Sequence, residues 1–222
     1  MLENYKKILE KSQERILALA QDALKAYTMA LDAFVSGEDA EAIGARALLK
    51  DAHERNNKID NEIIKTLALF SPEARDLRVV VAYFKIAGEL TRITDYIRNY
   101  AKSVRLLIDS DVPLDGIRDN ALVFQRSALA SLEAAVASIA IEAPTEELEE
   151  LYRRVNVEES KCDDIFGLIE KDVIQQIYAA PDHATEWVRY LATMRKIERI
   201  SDRSVTIVKL IYFAHQGGKL KL

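Results

Sequence analysis

Apolar residues recur every three or four positions along most of the chain, which is the spacing that aligns side chains on one face of an α-helix. One such series runs from Val80 to Val104, and another runs from Trp187 to Ile211. A third series, with one irregular step, extends from Leu148 to Val173. The pattern therefore predicts an all-α protein in which each helix buries its apolar face.

Helix-breaking residues divide this pattern into segments. The four prolines, Pro72, Pro113, Pro144 and Pro181, each lie where a periodic series is interrupted. Ser71 before Pro72 is a favourable helix start, because serine caps the first turn and proline fits its first position. The short connections make neighbouring helices antiparallel. The six predicted long helices span residues 3–35, 39–70, 72–108, 116–142, 145–179 and 183–215.

The chain divides into two similar halves. The segment 109–116 is the least helical stretch and leaves three predicted helices on either side. A single constant shift aligns the third helices of the two halves, pairing Tyr83 with Tyr190 and Asp95 with Asp202. This repetition indicates two tandem, pseudo-symmetric three-helix bundles. The expected domains are residues 1–108 and 116–222, joined by a linker over residues 109–115.

Composition and charge exclude several classes of protein. The formal net charge of -5 and the pI of about 5.4 argue against duplex nucleic acid as the main partner. The single cysteine, Cys162, excludes an intramolecular disulfide and a cysteine-rich metal site. The sequence has no uninterrupted apolar run long enough to predict a transmembrane helix, and charged residues follow Met1 where a signal peptide is apolar. We therefore expect a cytoplasmic protein without direct membrane insertion.

Two pairs of acidic residues mark the second half. Glu159 and Asp163 are four residues apart in one predicted helix, and Glu198 and Asp202 have the same spacing in the next. Each pair therefore shares a helix face. Asp163 and Glu198 lie almost equally far from Pro181 on its two sides, and so do Glu159 and Asp202. Since equal distances from the turn of an antiparallel hairpin give equal heights, the spacing predicts that four carboxylates converge.

Convergent carboxylates have two interpretations. Like charges four residues apart destabilise a helix slightly unless a cation compensates them. Carboxylate oxygens favour hard ions such as Mg²⁺, Mn²⁺, Ca²⁺ or oxidised iron. The alternative is a solvated acidic edge with ordinary surface ion pairs, among them Arg199 with Asp202. The spacing alone leaves both interpretations open.

The first half keeps only part of this acidic pattern. Asn56 and Asp60 are the predicted counterparts in its middle helix, and Thr91 and Asp95 are those in its third helix. Two of the four carboxylates are therefore missing. Because anionic ligands offset the hydration that a cation loses, we expect the second half to bind a metal ion more tightly than the first.

Three segments of the chain resemble the PhoU family, the accessory regulators of bacterial phosphate-specific transport. They are Ser71–Arg78, Lys85–Asp95 and Ile197–Asp202, and the last two carry the same third-helix signature in both halves. The resemblance extends over nearly the whole chain and includes a duplicated three-helix architecture. It implies a regulator rather than an enzyme.

The resemblance also implies metal ligands and partners. PhoU proteins carry E(D)xxxD pairs that bind multinuclear clusters of iron or other metals on the bundle surface. The implied metal is iron, with manganese, magnesium, calcium or zinc as alternatives. The implied partners are the ATPase of the phosphate ABC transporter and the phosphate sensor histidine kinase, and the protein would damp the phosphate-starvation response; a homodimer is also expected. The positions that match as ligands are Glu159, Asp163, Glu198, Asp202, Asp60 and Asp95.

Two other functions stay open on the sequence. A carboxylate-bridged di-iron oxidase or oxygenase would suit a helical bundle, but such sites usually need Glu-x-x-His motifs. No Glu of this sequence has a His three residues later. The other possibility is a metal-free helical scaffold, which stoichiometric metal in the purified protein would exclude.

Overall fold

The computed structural model describes residues 2–72, 74–110, 114, 116–141 and 146–217. Among these residues the secondary structure is helical, with no strand, so the predicted all-α fold class is confirmed. Residues 111–113 and 115 of the predicted linker, and the predicted helix boundaries at residues 142 and 145, lie outside the described part. The helices are α1 (Leu2–Ser36), α2 (Ala40–Leu48), α3 (Ala52–Phe70), α4 (Ala74–Ile108), α5 (Arg118–Ile139), α6 (Glu146–Ala179) and α7 (Ala184–Gln216).

The second predicted helix is interrupted by a turn at residues 49–51, which separates α2 from α3. In the turn, tighter hydrogen bonds from Lys50 N to Ala47 O and from Ala52 N to Leu49 O, both 3.3 Å, replace the helical pattern. The buried positions nevertheless continue through the turn in steps of three and four residues. Hydrophobic periodicity therefore could not reveal the break. These buried positions are Ala42, Ala45, Leu49, Ala52, Asn56, Ile59, Ile63 and Thr66.

The turn between α3 and α4 also differs from the prediction. Ser71 does not begin a helix but ends α3 in a left-handed conformation with φ 43°, and its N–H bonds to the carbonyl of Leu67 at 3.2 Å. Residues other than glycine rarely adopt this conformation, yet it is a common way to end a helix because it satisfies the last carbonyls. The connection remains short, so α3 and α4 form an antiparallel pair.

The helices of the two halves share one core. In the first half α1 and α4 contact each other and both α2 and α3, and in the second half α5, α6 and α7 all contact one another. Contacts of α4 with α7 and of α1 with α5 join the halves, and the buried apolar residues form one continuous cluster. The shift that aligns the third helices in the sequence also matches buried positions of α4 and α7, such as Leu90 with Ile197 and Ile93 with Ile200. The domain boundaries at residues 108 and 116 stay a prediction.

Polar side chains also connect the two halves. Glu89 of α4 accepts hydrogen bonds from Arg92 at 2.8 Å and from Arg203 of α7 at 3.2 Å. In the core, the buried Tyr27 of α1 donates to the backbone carbonyl of Gln125 on α5 at 3.0 Å. Buried hydrogen bonds of this kind fix the relative height of packed helices, because a slip would leave polar atoms without partners.

Helix α5 is the one described helix that is long and apolar enough to cross a membrane by length and composition. Most of its apolar stretch is buried against α1, α6 and α7. A helix surrounded by other helices in a bundle is apolar on several faces because those faces are removed from water, as they are in a membrane helix. The composition of α5 is therefore accounted for by its packing.

Candidate metal centre

Three of the four predicted carboxylates of the second half lie together on the outside of the α6–α7 hairpin. Glu159 and Asp163 project from α6 and Asp202 projects from α7. One carboxylate oxygen of each lies within 4.8 Å of an oxygen of each of the others. Glu159 and Asp202 are half-buried, whereas Asp163 is exposed. We call these three residues the carboxylate cluster.

The turn of the hairpin sets the height of this cluster. A short 3-10 turn, Pro181–His183, joins α6 to α7 and begins with proline at its first position. The two helices then pack directly against each other as an antiparallel pair. Positions equally far from the turn consequently meet across the pair, as the spacing of Glu159 and Asp202 predicts.

The acidic groups of the cluster disfavour one another's ionisation. Burial raises the pKa of Glu159, and the charges of Asp163 and Asp202 raise it further. Burial also raises the pKa of Asp202, as does Asp163, although Arg203 and Arg199 act in the opposite direction. A half-buried set of like charges is costly unless a proton or a cation compensates it. A bound cation would relieve this repulsion, as protonation does.

Glu198, the fourth predicted ligand, lies beside the cluster but points to a different partner. Arg195 donates to Glu198 Oε1 and to Glu170 Oε1, each at 3.0 Å. Burial raises the pKa of Glu198, Asp202 raises it further, and Arg195 lowers it. The i, i+3 spacing of Arg195 and Glu198 could be read from the sequence. The contact with Glu170 could not, because it requires the packing of α6 against α7.

Cys162 precedes Asp163 in the sequence but lies on the buried side of α6. Its thiol is fully buried and makes a weak hydrogen bond to the carbonyl of Phe124, at 3.8 Å. Burial raises its pKa to about 12, so the sulfur remains a protonated thiol. It is therefore a core residue rather than a metal ligand.

The first half does not bring Asp60 and Asp95 into a common cluster. Asp95 contacts His53 Nε2 at 2.9 Å. Asp60 accepts a hydrogen bond from the buried Asn56 at 3.1 Å and lines a groove with Lys85 and other residues of α4 and α7. Thr91 donates to the carbonyl of Ala87 within its own helix. No group of three potential metal ligands forms among the described residues of this half.

Side-chain contacts account for this difference. His53 of α3, rather than Asn56, contacts Asp95 of α4. Asn56 is buried and bonds to Asp60 within α3. The pairing of Asn56 and Asp60 with Glu159 and Asp163 stays a prediction.

Comparison with known families identifies the repeated architecture. The PhoU domain profile matches residues 16–104, which include most of α1 to α4, and again residues 128–211, which include most of α5 to α7. The chain belongs to the PhoU family. This PhoU-family protein therefore contains two copies of the domain, one in each half.

Curated relatives and solved structures agree with this assignment. Phosphate-specific transport system accessory protein PhoU homolog 1 of Methanothermobacter thermautotrophicus is 22% identical over 212 residues, which cover 94% of this chain and 93% of the relative. The PhoU homolog of Rhizobium meliloti is 25% identical over 179 residues, covering 81% and 72%. The crystal structure of PhoU from Pseudomonas aeruginosa has a TM-score of 0.84 at 19% identity and covers 96% of this chain and 100% of that one. At this identity the structural likeness shows the fold alone.

The donor set of the PhoU-family protein suits a hard cation. Two ligands of one ion can lie no farther apart than twice the metal–oxygen distance, which is about 4–5 Å. The oxygens of the cluster lie within 4.8 Å of one another, so side-chain rotations rather than movements of the helices would bring them onto one ion. All three donors are carboxylate oxygens, which favour Mg²⁺, Mn²⁺, Ca²⁺ or oxidised iron over soft metals. Glu159, Asp163 and Asp202 would hold the ion.

Replacing Asp163 by Asn should stabilise the metal-free protein. The change removes one of three like charges from an exposed position, so repulsion with Glu159 and Asp202 falls. Differential scanning fluorimetry with a chelator should show a melting temperature at pH 7 higher by about 1–3 °C.

The same comparison has a defined pH dependence. A raised carboxyl pKa means that ionisation of the group destabilises the folded state. This destabilisation is complete at a pH above the folded-state pKa. It is absent at a pH below the unfolded-state pKa, which is 4.5 for Glu159. The advantage of Asp163→Asn should therefore shrink as the pH falls from 7 towards 4.5. A lower melting temperature for the variant at pH 7 would contradict the repulsion.

Proposed function

We propose that this protein is a non-enzymatic accessory regulator of phosphate-specific transport that damps the phosphate-starvation response when phosphate is ample. The observation that carries the proposal is the pair of PhoU domain matches covering both halves. Curated relatives matched over nearly the full length of the chain are named as phosphate-specific transport system accessory proteins. The proposal transfers their named role to this chain.

We further propose that the carboxylate cluster binds a metal ion as part of this role. A bound cation supplies positive charge and free coordination positions at the surface of the α6–α7 hairpin. Iron is the proposed metal by family resemblance, and manganese, magnesium, calcium and zinc are the alternatives. The cluster residues hold the ion on two helices, and the rigid packing of these helices keeps the three carboxylates preorganised.

The proposed partners are the ATPase of the phosphate ABC transporter and the phosphate sensor histidine kinase. The long helices offer extended polar faces, and the metal centre lies on one of these faces rather than in the core. Such a surface suits docking to other proteins in the cytoplasm. A homodimer is proposed as well, because the chain exposes large apolar side chains such as Leu69 and Tyr178.

The geometry gives less support to a di-iron oxidase. His53 lies against Asp95 in the first half, and His215 contacts the carbonyl of Ile141, so neither joins the carboxylate cluster. Oxidases of this class use histidine and glutamate from the bundle core. The cluster instead lies at the surface of the hairpin, with Asp163 exposed.

Deleting the gene in its host should raise the output of a phosphate-starvation promoter in phosphate-rich medium to the level of starved cells. A plasmid copy of the wild type should restore repression. A copy of Asp163→Asn/Asp202→Asn, at equal protein abundance, should not. The matched control is Val188→Ala, an exposed position on α7 that should restore repression fully. Unchanged promoter output in the deletion strain would contradict the regulatory role.

A further inference from the structure

Arg195 on α7 is held from three sides. Its guanidinium donates to Glu170 of α6 and to Glu198 of its own helix, each at 3.0 Å. The same group lies over the ring of Phe166, 4.0 Å from the ring centroid. A guanidinium that is stacked on a ring and shared by two carboxylates is restrained in both position and orientation. It therefore restrains the side chains that it bonds.

Glu198 is the member of this network that matters to the metal centre. It lies one helical turn before Asp202 on the same face of α7, and its pKa responds to the charges of Asp202 and Asp163. Its side chain is only 15% exposed, compared with 41% for Glu170. Arg195 thus holds a half-buried carboxylate next to the cluster but outside it.

The first half shows that this fold does not require the arginine. The shift that aligns α4 with α7 places Gly88 at the position of Arg195, and Thr91 at that of Glu198. Both helices nevertheless bury matching residues along their length. The arginine network therefore occurs in the half that has the carboxylate cluster and is missing at the equivalent place in the other half.

We propose that Arg195 is a positioning residue that keeps Glu198 away from the carboxylate cluster and releases it when a cation binds. This inference rests on the proposed metal centre. In the cation-loaded protein, Glu198 turns to the ion as a fourth carboxylate and Arg195 keeps its bond to Glu170. The ion must break the Arg195–Glu198 ion pair, so the pair lowers cation affinity and couples occupancy of the centre to the position of Arg195.

A double-mutant cycle with Mn²⁺ tests this coupling. Isothermal titration calorimetry should be performed on the full chain as wild type, Arg195→Met, Glu198→Gln and the double variant. Methionine keeps the stem of the side chain against Phe166 but cannot donate to Glu198. We expect Arg195→Met to tighten Mn²⁺ binding about fivefold. Local damage would weaken binding instead, so a gain in affinity excludes damage as its cause.

Two further variants separate release from a simple effect of charge. Arg199→Gln removes an exposed positive charge that acts on Asp202, and it serves as the matched control. When Glu198 is already replaced by Gln, Arg195→Met should increase the Mn²⁺ affinity only as much as Arg199→Gln does. Arg195→Lys keeps the charge but lacks the fork that bonds two carboxylates. Arg195→Lys should therefore give a gain in Mn²⁺ affinity smaller than that of Arg195→Met. It also tests the proposal if Arg195→Met does not fold.

The outcomes distinguish this inference from the proposed function. An equal gain from Arg195→Met with and without Glu198 would overturn the positioning role and leave the metal centre in place. An unchanged Mn²⁺ affinity in a folded Arg195→Met variant would also overturn the positioning role and leave the metal centre in place. If the wild type and every variant fail to bind Mn²⁺, both the metal centre and the positioning role are wrong.

Discussion

Replacing Asp163 and Asp202 together by Asn is expected to weaken Mn²⁺ binding by about 100-fold or more. The change leaves one carboxylate, Glu159, of the three whose oxygens lie within 4.8 Å of one another. Neutral amides offset the hydration lost by a hard cation much less well than carboxylates do. Helicity should be unchanged, because both side chains lie outside the apolar core.

The matched control for this experiment is Asp60→Asn/Asp95→Asn in the first half. These residues are acidic positions of the same family pattern, but Asp60 lies with Asn56 and Asp95 with His53 rather than with each other. The control should bind Mn²⁺ within about twofold of the wild type. Equal losses from the two double variants, measured by calorimetry and by elemental analysis after desalting, would contradict a second-half metal centre.

Trp187→Ala is expected to lower the free energy of unfolding by about 3–5 kcal/mol, and with it the melting temperature by about 10 °C. Trp187 is a fully buried side chain near the start of α7, and its ring packs edge-on against Tyr190 at a centroid distance of 5.8 Å. Truncation removes this apolar surface from the core and leaves a cavity that packed helices cannot close.

Val188→Ala provides the control for this prediction, because it truncates the next residue of α7 at a side chain that is 59% exposed. Its free energy of unfolding should change by less than about 0.5 kcal/mol. Chemical denaturation of both variants, followed by circular dichroism, makes the comparison. A loss of similar size for both would mean that α7 does not bury the face that contains Trp187.

The helical fold could be predicted from the sequence because its signal is local. The stripe from Trp187 to Ile211 repeats every three or four residues, and the helices α1, α4, α5, α6 and α7 begin and end within a few residues of their predicted bounds. The break at residues 49–51 could not be predicted, since the buried positions on either side keep the helical period. The left-handed conformation of Ser71 could not be predicted either, because the pair Ser71–Pro72 is typical of a helix start.

The carboxylate cluster was only partly predictable. Heights counted from Pro181 brought Glu159 and Asp202 together correctly, because the turn Pro181–His183 is short and α6 and α7 pack directly against each other. The same count placed Glu198 in the cluster, but Glu198 bonds to Arg195, which also bonds to Glu170 across the two helices. In the first half, His53 contacts Asp95 across two helices, whereas Asn56 bonds to Asp60 within its own helix. Local spacing does not contain that information.

The metal centre of the second half is tested by anomalous diffraction from crystals of the wild-type 222-residue chain soaked in Mn²⁺. A manganese peak is expected between the carboxylates of Glu159, Asp163 and Asp202 on the α6–α7 hairpin. Crystals of Asp163→Asn/Asp202→Asn, soaked identically, should lack that peak. A manganese peak at Asp60 or Asp95 alone, or no peak on the hairpin at a concentration that saturates binding in solution, would show that the carboxylate cluster is not the metal centre.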